Sequence, residues 1–200
     1  MPKKKYYAFS VNGKNGITDT WAECQKKVSG IPSARYKSFP TKEEAERWLD
    51  AGADYNVKHV AIEDGIYFDA GTGAGNGVEI SVTDKTGKSL LNKATPKLKI
   101  NPRGFHLIPE RVTNNFGELL ACKYALQIAL SDKVKQVFGD SALVIDFWSK
   151  GYIKKENMPE ETLALAAEVK ILRKEFEAKG GIITAIPGSS NPADLGFHKG

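Results

Sequence analysis

The stretch Thr113–Leu119 reads Thr-Asn-Asn-Phe-Gly-Glu-Leu and opens a helix that we expect to run to about Leu130. Thr and Asn side chains are favoured at helix starts because their oxygens accept hydrogen bonds from the first free backbone amides. Glu118 adds a carboxylate in the first turn, beside these caps. The apolar residues of the predicted buried face recur at helical spacing and are Leu119, Cys122, Leu126 and Ala129.

Three further carboxylates lie at or after the ends of predicted strands. The strand Ile66–Asp69 ends in an acid, Val134–Phe138 is followed by Asp140, and Ile182–Ile186, which we expect to be a buried strand, is followed by Asp194. In an α/β sheet such ends converge on one edge. We therefore expect four acids to lie together, namely Asp69, Glu118, Asp140 and Asp194.

Four converging carboxylates repel one another unless a cation neutralises them. Mg²⁺ is the natural occupant because it prefers oxygen ligands and keeps several of its waters. Two such ions about 4 Å apart would activate a water molecule and stabilise the leaving oxygen of a phosphodiester. The pattern thus predicts a site for two Mg²⁺ ions, in which Mn²⁺ can substitute.

The remaining elements of this segment are typical of an α/β domain. We expect strands at Val78–Thr83 and from Lys88 to Leu91, and helices over Ala142–Lys150 and from Pro159 to Lys179. The glycine-rich stretch 71–77 lacks the Gly-Lys-Ser/Thr ending of a phosphate-binding loop and leads into a strand, so it does not predict a nucleotide site.

Charge is concentrated at the N-terminus. The chain has 200 residues and a net charge of +5, but residues 1–40 alone carry eight basic and two acidic side chains. Overall, 41% hydrophobic and 26% charged residues are typical of a folded soluble protein. We expect no membrane span, no secretory signal and a reduced cytoplasmic location, because the chain lacks a long apolar run and its two cysteines fit no metal spacing. We expect a monomer.

The basic segment predicts a small α/β module. Strands are expected at Tyr6–Val11 and Ala34–Phe39, and helices at Trp21–Val28 and from Thr41 to Leu49. The dipeptides Asn-Gly at 12–13 and 15–16 indicate turns. We place this module at residues 1–54, a linker at 55–60 and the second domain at 61–200.

Residues 5–50 resemble the hybrid-binding (viroplasmin-like) domain that precedes many type 1 ribonucleases H. The resemblance lies in the motifs Gly-Ile at 16–17, Thr-Trp-Ala-Glu-Cys at 20–24 and Gly-Ile-Pro-Ser-Ala-Arg-Tyr-Lys-Ser-Phe at 30–39. It implies that Tyr7, Trp21 and Lys37 bind an RNA–DNA duplex. The family often has a second lysine where this chain has Ser38, which implies weaker binding. From the residues alone, Tyr7 and Trp21 are equally compatible with core positions of a small domain.

Residues 61–200 resemble the catalytic domain of type 1 ribonuclease H. The motifs that carry the resemblance are Tyr67-Phe68-Asp69, Thr113–Leu119, Gly139-Asp140-Ser141 and Asn191-Pro192-Ala193-Asp194. The resemblance implies a ribonuclease H-like α/β fold, with a five-stranded mixed sheet and flanking helices. It also implies endonucleolytic cleavage of the RNA strand of RNA–DNA hybrids, which leaves 5′-phosphate and 3′-hydroxyl ends.

The resemblance assigns a role to each matching residue. The four acids would hold the metal ions and form the catalytic centre. Asn114 and Asn115 would contact 2′-hydroxyl groups of the RNA strand, and Arg111 and Thr113 would bind a phosphate of the DNA strand. The alternatives are helix capping for the two asparagines and a solvent-facing charge for Arg111.

Two departures from the family pattern bear on turnover. Ala70 stands where many relatives have glycine, and the loop Gly188–Ser190 lacks the histidine that many relatives carry. One alternative function is a nucleic-acid-binding protein of the same fold with weak or no catalysis. Another is a different nuclease of the superfamily, such as a junction resolvase, whose relatives share the acids but not the Thr-Asn-Asn element or the N-terminal module.

Overall fold

The structure is a computed structural model that describes residues 5–50, 52–55, 62–72, 77–95, 98–109 and 111–195. The chain divides into two compact units, Met1–His59 and Val60–Gly200, and each is described by itself. The narrower boundaries drawn from the sequence, at residues 54 and 61, stay a prediction, and positions 56–60 of the expected linker lie outside the described residues.

The first unit is a three-stranded antiparallel sheet with two helices. Its elements are β1 (Tyr6–Val11), β2 (Lys14–Thr18), α1 (Trp21–Val28), β3 (Arg35–Phe39) and α2 (Lys42–Asp50), and the strand order is β2-β1-β3. Of the two predicted turns only the first is present, because Asn12 and Gly13 both have the positive φ angles of a tight hairpin. The second predicted turn, at residues 15–16, is wrong, since these residues lie within β2.

One face of this sheet is buried against α2, and the outer edge of β3 is closed by a side chain. The core residues are Ala8, Phe39, Ala45, Trp48, Leu49 and Ala53. At the edge, the Tyr55 hydroxyl accepts a hydrogen bond from the Tyr36 amide at 2.8 Å and donates one to the Tyr36 carbonyl oxygen at 3.1 Å. The phenol thus satisfies both backbone groups that an added strand would use at Tyr36.

The second unit contains a five-stranded mixed sheet. Its elements are β4 (Ile66–Gly71), β5 (Val78–Thr83), α3 (Leu91–Ala94), β6 (His106–Ile108), α4 (Asn114–Asp132), β7 (Gln136–Gly139), α5 (Ala142–Asp146), α6 (Glu160–Ala178) and β8 (Ile182–Ala185), with short 3-10 turns at Trp148–Lys150 and Gly188–Ser190. The strand order is β6-β5-β4-β7-β8. Strands β4, β5 and β6 pair antiparallel, whereas β7 is parallel to both β4 and β8. The predicted five-stranded mixed sheet with flanking helices is confirmed.

Two details differ from the expectations. The third strand predicted from Lys88 to Leu91 is wrong, because Ser89 forms only an isolated bridge with Thr83 and the third strand is β6. Strand β8 is not buried, since it lies at the edge of the sheet and Ile182 is 55% exposed. No helix among the described residues is long and apolar enough to cross a membrane.

Helix α4 packs closely on β4 and β5 because its fourth residue, Gly117, has no side chain. A Cβ atom added to Gly117 would lie 2.3 Å from Val78 Cγ1 and 3.1 Å from Ala70 Cβ. Both neighbours are buried, so neither can move aside cheaply. The contact at Gly117 therefore brings the next residue, Glu118, against β4.

We predict that Gly117→Ala lowers the free energy of unfolding by about 1 kcal/mol or more. Overpacking a tight core contact costs about 1–3 kcal/mol, which outweighs the gain of up to about 1 kcal/mol from replacing glycine inside a helix. Thermal and urea unfolding followed by circular dichroism measure the change. Ser131→Ala, at an exposed position of the same helix, is the control and should not destabilise the protein. A Gly117→Ala protein as stable as the wild type would contradict the packing argument.

Candidate active site

The structure brings three of the four predicted acids together at one edge of the sheet. Asp69 lies in β4, Glu118 in the second turn of α4 and Asp140 directly after β7. One carboxylate oxygen from each lies within 4.8 Å of the others. Strands β4 and β7 run parallel and their pairing ends at Tyr67 and Phe138, so Asp69 within β4 and Asp140 after β7 both lie two residues beyond the last pair, and α4 supplies the glutamate.

Backbone amides fix two of these carboxylates. Glu118 Oε1 accepts a hydrogen bond from the Ala70 amide at 3.2 Å, and Asp69 Oδ2 accepts one from the Leu195 amide at 3.2 Å. The bond to Glu118 uses only the backbone of Ala70, so the family glycine is not needed for it. Glu118 Oε2 is buried and has no hydrogen-bond partner among the described residues.

Burial and mutual repulsion disfavour the charged forms of these acids. Burial first, and then the charge of Asp140, raises the pKa of Asp69 to about 7. Burial first, and then the charges of Asp69 and Asp140, raises the pKa of Glu118 to about 9. A hard divalent cation with oxygen ligands would reverse both effects. The all-oxygen donor set and the unsatisfied Oε2 atom of Glu118 fit such an ion.

Asp194 lies beside this group and not within it. It is half-buried and follows the 3-10 turn Gly188–Ser190, and its charge contributes to the raised pKa of Asp69. The same turn closes on Asp140, since a Cβ atom added to Gly188 would lie 2.7 Å from Asp140 Oδ2. The loop that lacks the family histidine therefore places the backbone of Gly188 close to the Asp140 carboxylate.

At the start of α4, only one of the three polar residues Thr113, Asn114 and Asn115 caps the helix. The cap is Thr113, whose hydroxyl oxygen accepts from the Phe116 amide at 3.2 Å. Asn114 and Asn115 are the first two residues of the helix, so capping does not account for them. Asn115 and Arg111 are exposed, and the Oδ1 atom of Asn114 is buried without a hydrogen-bond partner in the described part of the chain.

Three aromatic rings form a surface cluster in the first unit. The centroids of Tyr7 and Trp21 are 5.8 Å apart, and those of Trp21 and Tyr36 are 5.4 Å apart. Trp21 is 38% exposed and Tyr36 is 44% exposed, so the alternative that Trp21 is a core residue is wrong. Sequence analysis missed Tyr36. Its place in β3 three residues before the buried Phe39 puts it on the opposite, outer face, which is the signal that could have found it.

Lys37 does not join this aromatic cluster. It pairs with the buried Ala8, so its side chain leaves the sheet on the α2 face, and its Nζ atom lies 5.7 Å from the centroid of the Phe39 ring. Ser38 pairs with Tyr7 and lies on the aromatic face. Ser38, which stands where the family often has a second lysine, is therefore on the same face of the sheet as Tyr7 and Tyr36.

We predict that the metal-free protein loses stability as the pH rises from about 4 to about 9 and that Mg²⁺ restores it. The folded protein holds the protons of Asp69 and Glu118 to higher pH than the unfolded chain, whose carboxyls titrate near pH 4, so the loss grows across that window. Mg²⁺ at about 10 mM should raise the melting temperature of the protein by about 5 °C at pH 9 and by less at pH 6.

Differential scanning fluorimetry with chelator or Mg²⁺, at matched ionic strength, measures both effects. Glu118→Gln removes one of the titrating groups and should flatten the pH dependence. An unchanged pH profile in this variant would show that the raised pKa of Glu118 does not govern stability.

Comparisons with known proteins agree with the sequence motifs. Residues 5–49 match the family model described as the ribonuclease H1 N-terminal domain. A ribonuclease H of Crithidia fasciculata is 41% identical over 49 residues, which are 24% of this chain and 10% of that protein. The match therefore spans about a tenth of the length of that relative. The structure of ribonuclease H1 from the halophilic archaeon Halobacterium salinarum NRC-1 aligns with 18% identity and a TM-score of 0.41, over 67% of this chain and 92% of that one.

The family match falls on the segment that holds Tyr7, Trp21 and Tyr36. Residues 5–49 thus match the ribonuclease H1 N-terminal domain, as the motifs of this segment predict.

Proposed function

We propose that the protein is an endoribonuclease that cleaves the RNA strand of RNA–DNA hybrids and leaves 5′-phosphate and 3′-hydroxyl ends. The observation that carries the proposal is the cluster of the buried Asp69 and Glu118 with the half-buried Asp140, in which Glu118 Oε2 has no hydrogen-bond partner among the described residues. Holding like charges together in a protein interior is unfavourable without a counter-ion. We expect the protein to act as a cytoplasmic monomer.

The residues that would hold two Mg²⁺ ions, or Mn²⁺ in their place, are Asp69, Glu118, Asp140 and Asp194. Bound Mg²⁺ supplies a water of lowered pKa and neutralises charge on the phosphodiester. The protein itself contributes the fixed oxygens. The Ala70 amide holds Glu118, the Leu195 amide holds Asp69, and the closed turn at Gly188 limits the space around Asp140.

The first turn of α4 supplies groups that can distinguish RNA from DNA. Asn114 and Asn115 precede Glu118 by four and three residues, so they lie about one helical turn away, on the N-terminal side of the cluster. Carboxamides can both donate to and accept from a ribose 2′-hydroxyl, which DNA lacks. Asn115 is exposed and offers the accessible carboxamide, whereas the Oδ1 atom of Asn114 is buried without a partner among the described residues.

Arg111 and Thr113 would bind a phosphate of the DNA strand. The Thr113 hydroxyl oxygen accepts from the Phe116 amide, and a hydroxyl that accepts can still donate its proton to a phosphate oxygen. Arg111 is exposed and offers the forked donor geometry suited to phosphate. Capping and phosphate binding are therefore compatible at Thr113.

The aromatic cluster Tyr7, Trp21 and Tyr36 supports hybrid binding by the first unit. Exposed aromatic faces pack against sugars and bases, and each such contact is worth about 1–3 kcal/mol. The excess of basic residues in positions 1–40 adds a salt-dependent attraction to phosphates. Lys37 would contribute mainly to this attraction, since it lies on the other face of the sheet.

We predict that the protein cuts an end-labelled RNA–DNA hybrid in Mg²⁺ and leaves duplex RNA and duplex DNA intact. Asp140→Asn should lower the rate at least about 100-fold, because it removes a charged ligand of the proposed metal site. Asp146→Asn, at an exposed position six residues further along, is the matched control and should keep wild-type activity.

Hybrid binding without cleavage, in Mg²⁺ and in Mn²⁺ alike, would favour the alternative of a binding protein. Cleavage of branched DNA but not of hybrids would favour a junction resolvase. Equal losses in Asp140→Asn and Asp146→Asn would remove the evidence for the metal site.

We predict that Trp21→Ala weakens hybrid binding about 10- to 100-fold and that Tyr36→Ala has a similar effect. Trp21→Phe keeps an aromatic face and should retain most of the affinity. Fluorescence anisotropy with a labelled hybrid, on a catalytically inactive background, measures binding directly. If Trp21→Ala binds as tightly as Trp21→Phe, the rings do not form the binding surface.

A further inference from the structure

We propose that Asn191 is a positioning residue that anchors the segment 191–195 to β4 and thereby sets the affinity of the acidic cluster for Mg²⁺. The proposal rests on the proposed function for the identity of the ion. Its test is metal binding in the absence of nucleic acid, so it can fail or succeed independently of cleavage.

The side chain of Asn191 uses both ends of its carboxamide. It is only 4% exposed. Its Nδ2 atom donates to the Phe68 carbonyl oxygen at 2.9 Å, and its Oδ1 atom accepts from the Ala193 amide at 3.0 Å. One side chain thus joins a strand of the sheet to a segment 123 positions away in sequence.

Asn191 binds β4 at the point where the pairing between β4 and β7 ends. Register pairs between β4 and β7 end at Tyr67 and Phe138, so Phe68 is the first residue of β4 beyond them. Beyond this point β7 gives way to the turn that carries Asp140. The carboxamide of Asn191 supplies a donor to β4 at that opening, one residue before Asp69.

The anchored segment makes two contributions to the cluster. Asn191 carbonyl oxygen accepts from the Asp194 amide at 3.0 Å, which places the fourth acid. The next residue, Leu195, donates its amide to Asp69 Oδ2 at 3.2 Å. Both the Asp194 carboxylate and the Leu195 amide therefore depend on where Asn191 holds the chain.

A purely structural role would predict something different. In that case Asn191 satisfies a buried carbonyl group and nothing more, and its loss lowers stability without changing metal affinity. The two roles separate when metal binding and metal-free stability are measured on the same variants.

Asn191→Ser is the informative variant. A serine hydroxyl can still accept from the amide two residues on, but it is too short to reach the Phe68 carbonyl. We expect the Mg²⁺ concentration at the midpoint of thermal stabilisation to rise about tenfold, as for other residues that orient metal ligands. Asn191→Ala removes both bonds and should raise it at least as much.

Ser190→Ala is the matched control. The Ser190 hydroxyl is buried in the same segment and has no hydrogen-bond partner among the described residues, so its removal breaks no bond. The Mg²⁺ midpoint of this variant should equal that of the wild type. Melting temperatures in chelator report any general loss of stability in each protein.

A double-mutant cycle with Asp194→Asn shows whether Asn191 acts through the acid. The effect of Asn191→Ser on the Mg²⁺ midpoint should fall below about threefold in that background, because coupled residues are not additive. A wild-type midpoint in Asn191→Ser would overturn the proposal, and an undiminished effect beside Asp194→Asn would overturn the contribution through Asp194 and leave only the one through the Leu195 amide. If Asn191→Ala does not fold, the Mg²⁺ midpoint of Asn191→Ser alone tests the proposal. Absence of hybrid cleavage in the wild type would sink the proposed function but leave this measurement valid.

Discussion

The close approach of α4 to β4 is the contact on which the rest of the second unit depends. Gly117 allows the helix to lie against Val78 and Ala70, and the next side chain, Glu118, then reaches the backbone of β4. Without that approach the glutamate could not share a site with Asp69. The assembly of the acidic cluster therefore depends on the packing of α4 on the sheet.

The cluster is held by groups that are themselves uncharged. Two backbone amides bind Asp69 and Glu118, and the carboxamide of Asn191 binds the strand beside them. Neutral donors orient the acids without cancelling their charge. The carboxylates thus keep their mutual repulsion, which helps to raise the pKa of Asp69 and of Glu118 and which a bound cation would relieve.

Much of this could be predicted from the sequence. Helix starts and strand ends predicted four acids, three of which the structure brings together, because capping residues and apolar runs are local signals. The third strand was missed because β6 is only three residues long and its pairing with β5 is not local. The contacts of Asn191 and the face occupied by Lys37 depend on register between distant segments, which one-dimensional patterns do not encode.

The Tyr55 hydroxyl that occupies both hydrogen-bonding groups of Tyr36 has a consequence for self-association. An open strand edge recruits the edges of other chains, and a surface rich in exposed aromatic rings increases that tendency. With a phenol in place, β3 offers no free pair of backbone groups at Tyr36, while the Tyr36 ring stays on the surface. The first unit therefore exposes the Tyr36 ring while the backbone groups of the same residue are unavailable to a strand of another chain.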